Sequence, residues 1–147
     1  MSSNVVKFYS HTRGPLRCLS NFSEHSFVLR GKTWPTTEHY FQALKFEGSP
    51  EEETVRLAAT PAEAKRLGRT FSLRPDWEEV KIGIMMDALR AKFTQNLDAK
   101  EVLLSTGDSE LQEDAKDDAF WGIGKHGRGR NELGKLLVQL REELKRE

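Results

Sequence analysis

Apolar residues recur with the spacing of an α-helix along the second half of the chain. One stripe consists of Trp77, Val80, Ile84, Ala88 and Ala91, and another of Leu133, Leu136, Leu137, Leu140 and Leu144. A shorter helix is predicted over residues 98–105, ending near Gly107. Each stripe would bury one face of its helix against a core, so helices are expected to dominate the fold.

Start signals mark two further short helices. Residues 49–52 and 60–63 each place a hydroxyl residue, a proline and a glutamate at the spacing of a capping box with proline in the first turn. Gly68 is expected to end the second of these helices. Asp76 is expected to cap the long helix that begins with Trp77.

Three segments are rich in residues that favour strands. They are residues 5–10, residues 25–34 with a turn at residues 30–32, and residues 111–115. No repeat or long linker divides the chain. The predicted fold is therefore α+β: one compact, helix-dominated domain over residues 1–147 with a few short strands.

The charge balance limits the classes of partner. The chain has 147 residues, with 23 Lys and Arg against 23 Asp and Glu, so its net charge is zero. A general nucleic-acid binder needs excess positive charge to displace counterions, and this composition disfavours that class. A local basic groove remains compatible with the sequence.

The single cysteine favours a reducing compartment, and hydropathy predicts neither a membrane span nor a signal peptide. Cys18 is the only cysteine, so no intramolecular disulfide is possible, and a small buried residue is the favoured interpretation over a nucleophile. No apolar run is long enough to span a membrane. Residues 1–10 lack the apolar stretch of a signal peptide. We expect a cytoplasmic protein, monomeric by default.

Residues 33–46, TWPTTEHYFQALKF, contain the most unusual helix. Thr36 or Thr37 can cap it, which places Glu38 in the first turn, where the helix dipole favours a carboxylate. At 100° per residue Glu38, Gln42 and Lys45 fall on one stripe. A solvated polar face is the ordinary explanation of such a stripe.

The neighbours of this stripe favour a chemical role. Trp34, Tyr40, Phe41 and Phe46 provide flat surfaces that could hold a base or a sugar ring. A lysine in a partly apolar site loses proton affinity and can form a Schiff base with an aldehyde. A carboxylate beside it can move protons.

A glycine-rich stretch occupies residues 117–134. Gly122, Gly124 and Gly127 spell G-x-G-x-x-G, but too little chain follows for a dinucleotide-binding βαβ unit. Glycines, nearby cations and a following helix N-terminus can suit a phosphate, whereas a flexible surface loop is the simpler interpretation. The four histidines show no metal-site spacing, so neither a metal nor a cofactor is expected.

Three motifs, in this order, resemble the NADAR domain, also called the YbiA-like family. They are CLSNFS at residues 18–23, WPTTEHYFQALKF at residues 34–46 and DAFWGIGKHGRGRNELGKLLVQLRE at residues 118–142. Residues 77–93 match the middle helix of that family. The resemblance covers nearly the whole chain and implies an α+β fold around a central pocket.

The activity that the resemblance implies is hydrolysis of an N-glycosidic bond. One associated substrate is ADP-ribose attached to guanine in DNA, RNA or a nucleoside. The other is a phosphoribosylamino-pyrimidine intermediate of riboflavin synthesis. Both contain a ribose C1–N bond and a phosphate, and the sequence does not choose between them.

Site residues carried over from the family divide into two groups. Lys45 would be the nucleophile and Glu38 the acid/base, with Asp118 as a further catalytic carboxylate. The implied or candidate substrate contacts are Asn21, Phe22, Trp34, His39, Gln42, Trp77, Trp121, Gly122, Arg130 and Asn131.

Two catalytic routes and two other functions remain open at this stage. Either Glu38 or Asp118 activates water, or the ribose ring opens and Lys45 forms an imine at C1; we favour the imine because Lys45 shares a stripe with Glu38. A non-catalytic ADP-ribose reader would use similar contacts. A module that recognises a modified base in nucleic acid is the second alternative.

Overall fold

The computed structural model describes residues 4–147, which group into two units. One unit is the continuous segment Glu24–Asn96, and the other combines residues 4–23 with Leu97–Glu147. The single domain expected over residues 1–147 stays a prediction. Residues 1–3, part of the segment expected to lack a signal peptide, lie outside the described residues.

The unit Glu24–Asn96 contains a β-hairpin and four α-helices. Its elements are β1 (Phe27–Leu29), β2 (Lys32–Trp34), α1 (Thr37–Ala43), the 3-10 helix Leu44–Phe46, α2 (Pro50–Arg56), α3 (Pro61–Leu67) and α4 (Trp77–Gln95). The predicted hairpin is confirmed: β1 and β2 are antiparallel, with Phe27 opposite Trp34. Arg30 and Gly31 both have positive φ angles, 57° and 74°, as a two-residue hairpin turn requires.

Helix starts follow the predicted positions, with two different capping arrangements. Thr36 and Thr60 are N-caps whose hydroxyls accept hydrogen bonds from the backbone N–H three residues on, both at 3.1 Å. The predicted reciprocal box at Ser49 is wrong in detail, because the Ser49 hydroxyl donates to Phe46 O (2.6 Å). Glu52 instead accepts from the N–H of Gly48 at 3.0 Å.

Asp76 precedes α4 without capping it through its side chain. The carboxylate instead receives two hydrogen bonds from the guanidinium of Arg74, at 2.6 and 3.1 Å. The predicted side-chain cap is therefore wrong, since a bidentate ion pair holds this carboxylate.

The second unit contains a parallel pair of strands and two α-helices. Its elements are β3 (Val5–Phe8), the 3-10 helix Pro15–Leu19, α5 (Leu97–Ser105), β4 (Glu110–Glu113) and α6 (Glu132–Lys145). Strand β3 pairs with β4 in parallel, with Val5 beside Glu110. The predicted leucine stripe of α6 is buried. Cys18 is also buried, as the favoured interpretation predicted.

The side chain of Asn131 links the start of α6 to β4 through two hydrogen bonds. Asn131 precedes α6 in the left-handed conformation, with φ 52°. Its amide accepts from Glu113 N–H at 3.0 Å and donates to Leu111 O at 2.8 Å. A Cβ at Gly134 would lie only 1.9 Å from Leu111 O, so glycine lets the α6 backbone pack against the strand.

The predicted fold class, helix-dominated α+β with a few short strands, is confirmed. Across residues 4–147 no helix combines the length and apolar character needed to cross a membrane.

Candidate active site

Helix α1 holds a buried carboxylate and a buried amide one turn apart. Glu38 is 8% exposed and Gln42 is 5% exposed. Gln42 Nε2 donates to Glu38 Oε2 at 2.6 Å, as the predicted stripe allows. The amide therefore holds the Glu38 carboxylate in one orientation.

Lys45 follows in the 3-10 helix after α1 and lies beside two rings. Its Nζ is 5.9 Å from the ring centroid of Phe41 and 5.9 Å from that of Trp77. Those rings contact each other at 5.1 Å, and the ammonium donates a long hydrogen bond, 3.4 Å, to Gly68 O.

This environment makes the lysine easier to deprotonate. Burial lowers the pKa of Lys45, the charge of Glu38 opposes that shift, and the positive charges of Arg69, Lys81 and Lys65 reinforce it. The neutral amine, which is the nucleophilic form, is therefore more accessible than in an ordinary surface lysine.

Gly68 is a residue of this site that the motifs did not reveal. It follows α3 with ordinary helical angles, φ −61° and ψ −17°. An ideal Cβ at this position would lie 1.9 Å from Gln42 Oε1 and 2.7 Å from Gln42 Cδ. Glycine here leaves space for the amide that holds Glu38, and its carbonyl accepts from Lys45.

Arg74 braces the segment that carries Lys45. Its backbone N–H donates to Lys45 O at 3.2 Å, and its own carbonyl accepts from Trp77 N–H at 3.2 Å. Its guanidinium donates to Leu44 O at 3.3 Å and to Glu47 at 2.7 Å. No predicted motif included Arg74, because these partners are distant in sequence.

An open pocket of about 510 Å³ borders Lys45 within the same unit. Its lining includes Phe46, Phe71, Ser72 and Arg74. Phe46 and Phe71 meet edge to face with centroids 5.4 Å apart. The pocket therefore offers both ring surfaces and hydrogen-bonding groups.

Trp34 and His39 lie in the interior of this unit. Trp34 is fully buried, donates to Leu29 O at 2.9 Å and packs edge-on against Tyr40. The His39 ring contacts Thr36 Oγ1 at 2.8 Å and Ala58 O at 3.0 Å. We assign the proton to Nε2, because a carbonyl can only accept, and burial lowers the pKa of the ring. Substrate contact by either residue stays a prediction.

In the other unit, the predicted residues from Asp118 to Asn131 lie in one hydrogen-bonded loop, whereas Asn21 and Phe22 follow the 3-10 helix Pro15–Leu19. Asp118 Oδ1 accepts from the N–H groups of Phe120 (3.0 Å) and Trp121 (2.8 Å). A Cβ at Gly122 would lie 2.8 Å from Glu113 O. The guanidinium of Arg130 lies over the ring of Phe120 at 4.7 Å. These contacts organise the loop itself.

The predicted residues thus fall into two sets. Glu38, Gln42, Lys45 and Trp77 come together in the unit Glu24–Asn96. The set in the other unit comprises Asn21, Phe22, Asp118, Trp121, Gly122, Arg130 and Asn131. Asn21 and Asn131 are buried there. Within residues 4–147, no group of three His, Cys, Asp or Glu side chains is arranged to hold a metal ion.

Comparisons with known proteins place the chain in a family. The NADAR domain model matches residues 7–145. The chain is 45% identical over 146 residues to N-glycosidase YbiA of Escherichia coli K12, covering 98% of this chain and 91% of that protein. It is also similar to the NMR structure of E. coli YbiA, with a TM-score of 0.88 at 44% identity, covering 98% of this chain and 86% of that one.

A longer relative carries a different name. Riboflavin biosynthesis protein VVA0006 of Vibrio vulnificus YJ016 is 44% identical over 128 residues, which cover 86% of this chain and 35% of that protein. The family model and the E. coli relative both extend over nearly the whole chain. The chain therefore belongs to the NADAR domain family.

Proposed function

We propose that this protein is a hydrolase that cleaves the N-glycosyl bond at C1 of a phosphorylated ribose. The observation that carries the proposal is the partly desolvated Lys45 amine, flanked by the rings of Phe41 and Trp77 near the oriented carboxylate of Glu38. Binding alone does not need a nucleophile beside an acid, which favours an enzyme over a reader. The name of the E. coli relative, N-glycosidase, supports the same class.

The proposed reaction begins with opening of the ribose ring. Glu38, in its protonated form, gives a proton to the ring oxygen, while the lone pair of the glycosidic nitrogen forms a C1–N double bond. The neutral Lys45 amine adds to C1. A proton then moves from the lysine nitrogen to the base nitrogen, with Glu38 as carrier, and the C1–base bond breaks.

Hydrolysis of the resulting imine completes the cycle. Water adds to C1 of the Lys45 imine, and Glu38 accepts one of its protons. The C1–Nζ bond breaks as the amine leaves, and the sugar is released as an aldehyde that closes to ribose. The net change is the addition of one water across the C1–N bond, so no oxidant or metal is required.

The role of Asp118 bears on the choice between routes. Its Oδ1 accepts from two backbone N–H groups of its own loop, which gives Asp118 a structural role there. This use favours the Lys45 imine over water activated by Asp118. In the same proposal Trp34 and His39 have structural roles: Trp34 packs against Tyr40 of α1, and the ring of His39, within α1, is bonded to Thr36 and Ala58.

The substrate we propose first is ADP-ribose attached to guanine, whose ring systems suit the aromatic lining near Lys45. The second candidate is a phosphoribosylamino-pyrimidine. The name of the Vibrio relative, a riboflavin biosynthesis protein, favours this second substrate. Both substrates present the same bond to Lys45.

A paired turnover assay tests the proposal. The purified protein is incubated separately with ADP-ribosylated guanosine and with the phosphoribosylamino-pyrimidine, and release of the base is followed by mass spectrometry. Borohydride added during turnover should fix the sugar to Lys45 as a stable amine. Lys45→Ala should lose most activity, whereas Lys116→Ala, at a lysine side chain that is 69% exposed, should retain it.

Each outcome has a definite meaning. Release of ADP-ribose or of the pyrimidine identifies the substrate class. Near-normal turnover by Lys45→Ala, or no mass shift after borohydride, would exclude the imine route. Binding of ADP-ribose without cleavage of either substrate would replace the enzyme with a reader.

A further inference from the structure

Three positive side chains of the unit Glu24–Asn96, Lys65, Arg69 and Lys81, are close enough to Lys45 for their charges to act on it. Lys65 and Arg69 are four residues apart and lie on either side of Gly68 in sequence. Gly68 N–H donates to Ala64 O at 2.9 Å and Arg69 N–H to Arg66 O at 3.1 Å, so the helical path of α3 continues through this point. Residues four apart on such a path share a face.

The contact between Lys45 and Gly68 places the helix face that carries Lys65 and Arg69 near the candidate active site. Lys45 Nζ donates to the Gly68 carbonyl at 3.4 Å, at the point where Lys65 and Arg69 flank the chain. Lys81 approaches from α4. It lies one turn after Trp77, whose ring centroid is 5.9 Å from Lys45 Nζ. Three cations therefore accompany the nucleophile, in agreement with their effect on its pKa.

Carboxylates also lie in this region. Lys81 pairs with Glu78 at 2.7 Å, the charge of Glu38 acts on Lys45, and Glu47 and Glu51 line the pocket that borders Lys45. Within residues 4–147, Lys65 and Arg69 form no ion pair with an acidic side chain, whereas their neighbour Arg66 is bonded to Glu63 at 2.6 Å. The chain as a whole has zero net charge, so this surplus is local.

We infer that Lys65 and Arg69, assisted by Lys81, form the site that binds the phosphate of the substrate while Lys45 reacts at C1. This inference rests on the proposed function, and it moves phosphate recognition away from the glycine-rich loop. Arg130 of that loop already lies over Phe120 and pairs with Glu132 at 3.3 Å. Arginine and lysine side chains bind phosphate oxygens by charge-assisted hydrogen bonds.

The helix end alone explains only part of this arrangement. The terminal carbonyls of α3 favour a nearby cation, and Lys45 already occupies the carbonyl of Gly68. Lys65 is half-buried and Arg69 is exposed beside it, so both remain accessible to an incoming anion. A phosphate would offset the mutual repulsion of the cluster.

Equilibrium binding of three probes tests the site without requiring turnover. ADP-ribose, ribose 5-phosphate and unphosphorylated ribose are titrated by calorimetry into the wild-type protein and into Lys65→Gln and Arg69→Gln. Each substitution should weaken binding of the phosphorylated probes by about tenfold, the usual loss for one charged hydrogen bond. The two phosphorylated probes distinguish a pyrophosphate from a phosphate monoester as the preferred ligand.

Arg66→Gln is the matched control, because it removes one positive charge from the same helix at a side chain that is 63% exposed. If Arg66→Gln weakens binding of the phosphorylated probes equally, the cause is general electrostatic attraction, and the proposed phosphate site is overturned. Weakening only by Arg130→Gln would place the phosphate at the glycine-rich loop. Failure of the wild-type protein to bind either phosphorylated probe would also refute the inference.

The turnover assay separates this inference from the proposed function. If neither N-glycoside is cleaved while phosphate binding still depends on Lys65 and Arg69, the proposed activity fails and the phosphate site stands. If cleavage proceeds with unchanged KM in Lys65→Gln and Arg69→Gln, the activity stands and the phosphate site fails.

Discussion

Substituting Gly68 with alanine should lower catalytic activity much more than it lowers stability. The backbone at Gly68 has helical angles that alanine adopts without strain. The added methyl group would lie 1.9 Å from Oε1, 2.7 Å from Cδ and 3.2 Å from Cβ of Gln42. Because the closest atoms are the far end of a flexible side chain, the Gln42 amide should swing away while the backbone stays in place.

The expected magnitudes differ for folding and catalysis. Replacing glycine by alanine at a helical position contributes roughly 0.5–1 kcal/mol of stability, which offsets much of the cost of moving one side chain. Loss of a hydrogen bond to a carboxylate costs about 1.5–3 kcal/mol. If the Gln42–Glu38 bond is needed at the transition state, kcat/KM should fall roughly 10- to 100-fold, whereas the net loss of stability, about 0.5–2.5 kcal/mol, should lower Tm by only several degrees.

A double-mutant cycle gives the decisive assay. Gly68→Ala, Gln42→Ala and the double variant are compared by kcat/KM and thermal unfolding. Gly68→Ala should add no further loss in the Gln42→Ala background, since the clashing amide is absent. Gly83→Ala is the control, because a Cβ there meets nothing within 4 Å. Additive losses, or wild-type turnover by Gly68→Ala, would refute the reasoning.

Three further predictions concern Lys45, Arg69 and Asn131. Since the folded state lowers the pKa of Lys45, the charged amine destabilises the fold below that pKa. Lys45→Met should therefore raise stability at neutral pH by roughly 0.5–2 kcal/mol. Thermal unfolding should show this gain disappearing as pH rises through the lowered pKa toward about 10.5. The value of kcat/KM should increase with pH, with a midpoint below the pKa of a free lysine. Because the charge of Arg69 lowers the pKa of Lys45, Arg69→Gln should move that midpoint to higher pH. An unchanged midpoint would exclude this charge effect. Asn131→Ala should destabilise the protein by roughly 2–4 kcal/mol in denaturant unfolding, because two hydrogen bonds are lost and alanine disfavours positive φ; a change below about 0.5 kcal/mol would contradict that role.

Local patterns predicted the elements and the stripe at the candidate site. Apolar periodicity located α4 and α6, and the residues flanking Arg30 and Gly31 indicated the hairpin. Spacings of four and seven brought Glu38, Gln42 and Lys45 into one neighbourhood. Such features depend on residues within two turns of each other, so sequence spacing was sufficient.

Contacts between distant segments were not predictable in the same way. Gly68 carried only a helix-end signal, and its packing against Gln42 depends on how α3 meets α1. Arg74 gave no signal because its partners at Lys45 and Glu47 lie in another segment. The capping role assigned to Asp76 was wrong for a local reason, since Arg74, two residues before it, binds its carboxylate.

The glycine-rich stretch shows what composition alone leaves open. Glycines can let a backbone approach a ligand, and the sequence left that interpretation open. In the structure, a Cβ at Gly122 would meet the backbone carbonyl of Glu113, and a Cβ at Gly134 that of Leu111. The sequence indicates that these positions need glycine, whereas only the packing shows which group approaches each glycine.

The parallel pairing of β3 with β4 has a consequence for biosynthesis. Val5 pairs with Glu110, whereas the unit that contains Lys45 is the unbroken segment Glu24–Asn96. Proteins are made from the N-terminus, so this segment is complete on the ribosome before β4 and α6 exist. The surroundings of Lys45 can then form first. Until β4 has been made, β3 has no partner strand, and its unpaired edge can pair with another chain. The nascent chain is therefore most exposed to aggregation while the segment Leu97–Glu147 is being made, after Lys45 already has its neighbours.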